Sequence, residues 1–167
     1  MHEQLPPALF PVPRSPGRKC WCGPTAIAAL TGLHYQCIET AITGWRRGHP
    51  PRPHQALGPS PLSEVHGMWP HEIVPVLNAL GWRAVEYHDP GISRPLPYCP
   101  PLAGWIADRG SGLWLIAWHA HFVAIHKQNG DATFVDTFNP APVPLHPALC
   151  DGQRVLYAWR IGRYPVA

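Results

Sequence analysis

Lys19-Cys20-Trp21-Cys22-Gly23-Pro24-Thr25-Ala26-Ile27-Ala28-Ala29-Leu30-Thr31-Gly32 sets a cysteine immediately ahead of a helix-forming run. Pro24 fits a first helical turn, where its missing N–H costs nothing, Ala26 to Leu30 favour helix, and Gly32 is a natural stop. Cys22 is then an N-terminal helix residue. Unpaired N–H groups and the positive end of the helix dipole favour a thiolate there, and the thiolate is the reactive species. The same N–H groups can serve an oxyanion. A cysteine is equally at home as inert packing, so a catalytic reading requires a basic partner elsewhere in the chain.

Composition bounds the search for that partner. A chain of 167 residues is the size of one domain with a sizeable core, and 46% apolar residues support a globular chain. The 23 prolines and 14% charged residues point to ordered loops rather than long helices. The net charge of +3 is scattered, without a basic stripe interleaved with aromatics, so nucleic acid is not the expected partner. No apolar stretch near the start follows a basic flank, and no apolar run is long enough to span a bilayer. Five cysteines, an odd number without a dense framework, suit a reducing compartment, and a cytoplasmic location is expected.

Met1 to Arg18 reads as a Pro-rich N-terminal segment, extended and lying on the surface, with residues 19–167 forming the domain proper. Cys37, Ile38, Ala41 and Ile42 have helical spacing, predicting a second helix over 34–43 that Gly44 ends. Gly48 to Pro61, rich in Pro, His, Gly and Ser, reads as a surface loop beside the site. Ile73, Val76, Leu77 and Leu80 predict a helix over 69–80 with Pro75 in an early turn, followed by a strand from Trp82 to His88. Cys99 to Arg109 is a further short helix carrying Leu102, Trp105 and Ile106 on one face.

The second half changes to strand patterns: 113–118, 121–126, 132–136 after the turn signal Asn129-Gly130, and 154–161. Helices first and antiparallel strands after is an α+β order. In this sheet His119 and His121 share one face of an extended segment, and Asp136 ends the neighbouring strand. Cys22, His121 and Asp136 make a chemically complete set. The histidine would hold the cysteine as a thiolate and protonate the leaving amine, and the carboxylate would fix the imidazole tautomer. His121 opens the second strand and faces Asp136 across the Asn129-Gly130 hairpin, so it is preferred to His119.

These residues resemble a family, the papain-like cysteine peptidases, particularly the compact bacterial and phage-borne branch that includes bacteriocin-processing peptidase domains of exporters. The resemblance is carried by Cys22-Gly23-Pro24-Thr25-Ala26 opening a helix, by His121-Phe122-Val123-Ala124-Ile125, and by Val135-Asp136-Thr137 after a glycine turn. The order of elements between them matches as well, including the helix ending Leu77-Asn78-Ala79-Leu80-Gly81, so it covers roughly Lys19 to Ile161. It implies a papain-like fold, with N-terminal helices packed on a C-terminal antiparallel sheet. It implies hydrolysis of a peptide or isopeptide bond in a protein or peptide substrate through a thioester.

Such enzymes place an oxyanion-hole glutamine about six residues before the nucleophile. Here that position is Pro16, and Gln4 is distant in sequence, which leaves a backbone N–H, Arg18 or Lys19 as the second donor, or no second donor at all. Papain orients its histidine with an asparagine, and Asn139 lies three residues past Asp136, so Asn139 is the rival to Asp136 in that role. Trp21 and Trp118 are candidates for the substrate cleft. A zinc site at Cys20 and Cys22 is disfavoured, because Cys-x-Cys lacks the usual gap and no second cysteine pair follows; no metal or cofactor is expected. Two other functions stay open: a papain-fold amidase or transferase acting on peptidoglycan or another amide, and a catalytically idle phage-type domain used for binding or structure.

Overall fold

A computed structural model describes residues 8–14, 20–49, 67–88, 99–118, 121–150 and 152–163. The loop expected over Gly48 to Pro61 falls outside these residues beyond His49, as do His119, Gln4, Pro16, Arg18 and Lys19.

Helix α1 spans Cys22–Thr31, and Gly32 ends it in the left-handed region at φ 71°, its N–H returning to Ala28 O at 2.8 Å. Every residue from Gly23 to Thr31 is buried, so α1 is a central helix rather than a surface one. The N-terminal segment helps to cover it. Leu9 and Val12 are core residues, and Phe10 N–H donates to Ala29 O. Residues 8–14 carry no helix or strand and are exposed apart from Leu9 and Val12, whose side chains anchor the segment over the buried helix.

Helix α2, Tyr35–Gly48, runs through Gly44 instead of ending there. A glycine inside a helix costs only about 1 kcal/mol, and the added turn carries Arg46 into an ion pair with buried Glu72. Helix α3, Pro70–Ala79, starts on a proline, and Glu72 accepts the Trp69 N–H at 2.8 Å, closing its first turn. Pro75 lies inside α3 rather than in its first turn. Helix α4 is limited to Leu102–Ala107, because Pro100 and Pro101 keep the preceding residues extended; Pro101 bridges to Arg154.

The strands are β1 (Trp82–His88), β2 (Gly112–Trp118), β3 (His121–Gln128), β4 (Asp131–Val135), β5 (Val143–Pro144) and β6 (Tyr157–Arg163), with a short helix α5 (Pro147–Cys150) before β6. They form one antiparallel sheet in the order β1-β6-β2-β3-β4-β5. The last long strand begins three residues later than its apolar pattern suggested, since Arg154 is engaged by Pro101 and Val155 N–H by Pro100 O. Asn129 at φ 51° and Gly130 at φ 95° make the tight turn joining β3 to β4.

Alternation along the strands sorts two apolar layers. Leu113, Leu115, Ala117, Phe122, Ala124, Val135, Trp159 and Ile161 pack with α1, α2 and α3. Trp114, Ile116, Trp118, Val123, Ile125, Phe134 and Ala158 pack with Leu102, Trp105 and Ile106 of α4. The fold is α+β, but its helices cover both faces of the sheet, and β1, from before α4, supplies one edge. Among the described residues no helix is long and apolar enough to cross a membrane.

Candidate active site

Cys22 is the first residue of α1, and no side chain caps that end. The turn before it is fixed from α2, because Trp21 N–H donates to the Tyr35 hydroxyl at 2.8 Å. Met68 closes the turn from the far side: a Cβ added at Gly23 would lie 2.9 Å from the Met68 side chain, too close for any residue but glycine. Met68 is held in turn by its neighbours, since Arg46 donates to Gly67 O at 2.8 Å and Glu72 binds Trp69 N–H.

His121 reaches Cys22 from the start of β3. Its Nε2 lies 3.3 Å from Asp136 Oδ2, which leaves Nδ1 for the sulfur. The β3–β4 register pairs Ala124 with Val135, so one residue further Asp136 stands opposite Val123, two along from His121 on the same face. Asp136 is 6% exposed and its other oxygen is saturated. Oδ1 accepts Phe138 N–H at 3.0 Å, Asn139 N–H at 2.7 Å and the Asn139 side-chain amide at 3.1 Å. Asn139 thus holds Asp136 through both its backbone and its side-chain N–H groups. Arg14 donates to Thr137 O and to Phe138 O, tying this loop to the N-terminal segment.

The electrostatics follow from these contacts. Burial, the largest single influence on Cys22, pushes its thiol up; the hydrogen bond and charge of His121 and the N–H groups of Phe122 and Gly23 together outweigh it and hold the thiol below its ordinary range. The hydrogen bond to Asp136, and next that to Cys22, raise His121 to about 9 against the opposing effect of burial. Burial likewise pushes Asp136 up, but His121 and the two Asn139 donors prevail and keep it below its usual value. These shifts all favour the charged forms, a thiolate on Cys22, an imidazolium on His121 and a carboxylate on Asp136.

No protein-family model, curated protein or solved structure matches this chain. The geometry therefore stands on its own. Of the residues expected from sequence, Cys22, His121 and Asp136 come together, whereas His119 lies outside the described residues. Trp118 packs its ring 6.0 Å from that of His121, and Trp21 serves as the residue before α1. Cys20 lines a separate cavity of about 340 Å³ between residues 10–13 and the start of α2. Among the described residues no group of three or more His, Cys, Asp or Glu could hold a metal.

Three contributors were not read from sequence. Phe138, 78% exposed, stands with its ring 5.8 Å from His121; Met68 walls the nucleophile turn; Phe122 lends its N–H to the sulfur. The spacing of Asp136 and Asn139 is that of a side chain bonding backbone two and three residues on, a signal that could have revealed Asn139 as a support. Nothing local marks Met68.

Proposed function

We propose that this chain is a papain-like cysteine peptidase that hydrolyses a peptide or isopeptide bond. The observation that carries the reading is the unbroken hydrogen-bonded run from Cys22 through His121 to Asp136 at the N-terminus of a buried helix. The Cys22 thiolate attacks the carbonyl carbon. Charge on the resulting oxygen is met by the Cys22 backbone N–H, which at the first position of α1 has no intrahelical acceptor. The His121 imidazolium then gives its proton to the departing amine, and the C–N bond breaks to leave a thioester on Cys22. Neutral His121 next removes a proton from water, the hydroxide attacks the thioester, and the acid is released with the thiolate restored. Asp136 fixes the ring so that Nδ1 faces the sulfur throughout, and stabilises the imidazolium.

Cleavage of a proteome-derived peptide library, read by mass spectrometry, tests this. Cys22→Ala should abolish cleavage and Cys20→Ala should keep most of it, because Cys20 opens on a different cavity. An active Cys22→Ala protein, or no cleavage by the parent chain, would overturn the reading.

A further inference from the structure

The loop that follows Asp136 has every carbonyl from Thr137 to Pro140 occupied. Arg14 donates through Nη2 to Thr137 O and, at 3.3 Å, to Phe138 O; Asp136 N–H donates to Asn139 O at 3.1 Å, and Val12 N–H to Pro140 O at 2.7 Å. The segment that supplies Val12 and Arg14 is anchored on α1, where Leu9 and Val12 are buried and Phe10 N–H meets Ala29 O at 2.8 Å. One stretch of chain thus links the helix of the nucleophile to the loop of the carboxylate.

The Arg14 contacts fall on two particular peptide groups. In a trans peptide the C=O and the N–H of the next residue share a plane and point opposite ways. Thr137 O belongs to the peptide that carries Phe138 N–H, and Phe138 O to the peptide that carries Asn139 N–H. These are the two backbone N–H groups that donate to Asp136 Oδ1, at 3.0 and 2.7 Å. A guanidinium on the two oxygens therefore sets the tilt of both peptide planes and polarises both N–H groups toward the carboxylate. With Oδ1 held in this way, Oδ2 faces His121 Nε2 at 3.3 Å.

We infer that Arg14 is a positioning residue for the proposed reaction, holding the Asp136 carboxylate against His121 through the 137–138 and 138–139 peptides, an inference that rests on Cys22, His121 and Asp136 being the catalytic groups. The charge of Arg14 and its bonds act on His121 in opposite directions. A cation by itself disfavours an imidazolium, so loss of a bare charge would move the His121 titration up. Loss of the bonds frees Asp136 from the ring and moves it down, because the Asp136 hydrogen bond is the chief cause that raises His121. Arg14 is exposed, where water and salt screen its charge, so the bonds prevail. Among the described residues, Cys22 from α1 and Asp136 from the end of β4 are the titratable groups against His121, and Trp118 and Phe138 present uncharged rings to it.

NMR titration of the chain with 13C-labelled histidine, together with the kinetics of peptide cleavage, tests this. In Arg14→Ala, an exposed change that leaves the core intact, His121 should titrate below its parent value of about 9, and kcat should fall about 3- to 10-fold with KM unchanged. Ile106→Val, which trims the core on the α4 face of the sheet, should lower the melting temperature and leave the His121 titration in place. A His121 titration in Arg14→Ala that stays at the parent value or moves up, one that Ile106→Val lowers equally, or a lowered titration beside an unchanged kcat would overturn the inference. A lowered His121 titration in Arg14→Ala, where the parent chain cleaves no peptide at all, would support the hold of Arg14 on Asp136 and count against the peptidase reading instead.

Discussion

Asp136 and Asn139 divide between them the work of holding one imidazole. The carboxylate touches the ring, and the amide touches the carboxylate. Replacing Asp136 by Asn removes the charge that keeps His121 protonated, and turnover should fall at least about a hundredfold in a folded protein, as expected when an orienting carboxylate is neutralised. Asn139→Ala deletes one of three donors to Oδ1 and leaves the Asn139 N–H in place, so turnover should fall less than about tenfold. Turnover and melting temperature of both variants decide the matter. A dead but folded Asn139→Ala beside an active Asp136→Asn would make the asparagine the orienting group. Sequence spacing brought both residues into view but not their order of contact, because a three-residue separation in a loop allows either to face the histidine.

At the level of elements, the nucleophile turn is braced by a contact between α2 and the start of α3. Arg46 is 23% exposed and Glu72 only 3%, so Arg46→Ala strands a buried carboxylate and should cost about 3 kcal/mol in urea unfolding. An Arg46→Ala protein within about 0.5 kcal/mol of the parent would mean the pair carries nothing. Gly23→Ala drives a methyl into Met68 and should lower the melting temperature and slow labelling of Cys22, whereas Gly23→Ala combined with Met68→Ala should recover much of both.

These elements differ in how far sequence revealed them. The apolar face Leu102, Trp105 and Ile106 fixed α4 on the sheet, and Asn129-Gly130 fixed the β3–β4 turn, since both rest on local chemistry. The extension of α2 past Gly44, the two-residue β5 and the late start of β6 depend on partners distant in sequence, such as Glu72 for Arg46 and Pro101 for Arg154. The insertion of β6 between β1 and β2 is likewise a non-local choice that no strand pattern encodes.

For the molecule as a whole, the site ties pH to both stability and reactivity. The Asp136 carboxyl is held below its ordinary 3.8, so its contribution to stability is fully present above that pH and is lost as pH falls through the lowered folded value. Asp136→Asn should therefore flatten the acid limb of melting temperature against pH; an unchanged limb would place the acid sensitivity elsewhere. The alkaline limb belongs to catalysis. His121 must carry a proton to the leaving amine, so turnover should decline as pH rises through about 9.

The central claim is the thiolate–imidazolium pair of Cys22 and His121, and the pH dependence of Cys22 alkylation by iodoacetamide, followed by peptide mapping, tests it most directly. Mapping separates Cys22 from Cys20, Cys37, Cys99 and Cys150. In the parent chain, alkylation of Cys22 should persist well below the titration range of an ordinary thiol, about pH 8.5. His121→Ala should move the curve up toward that range, since burial then acts on Cys22 without the hydrogen bond and charge that oppose it. A parent curve already at the ordinary thiol range, or one that His121→Ala leaves in place, would contradict the pair and with it the proposed mechanism.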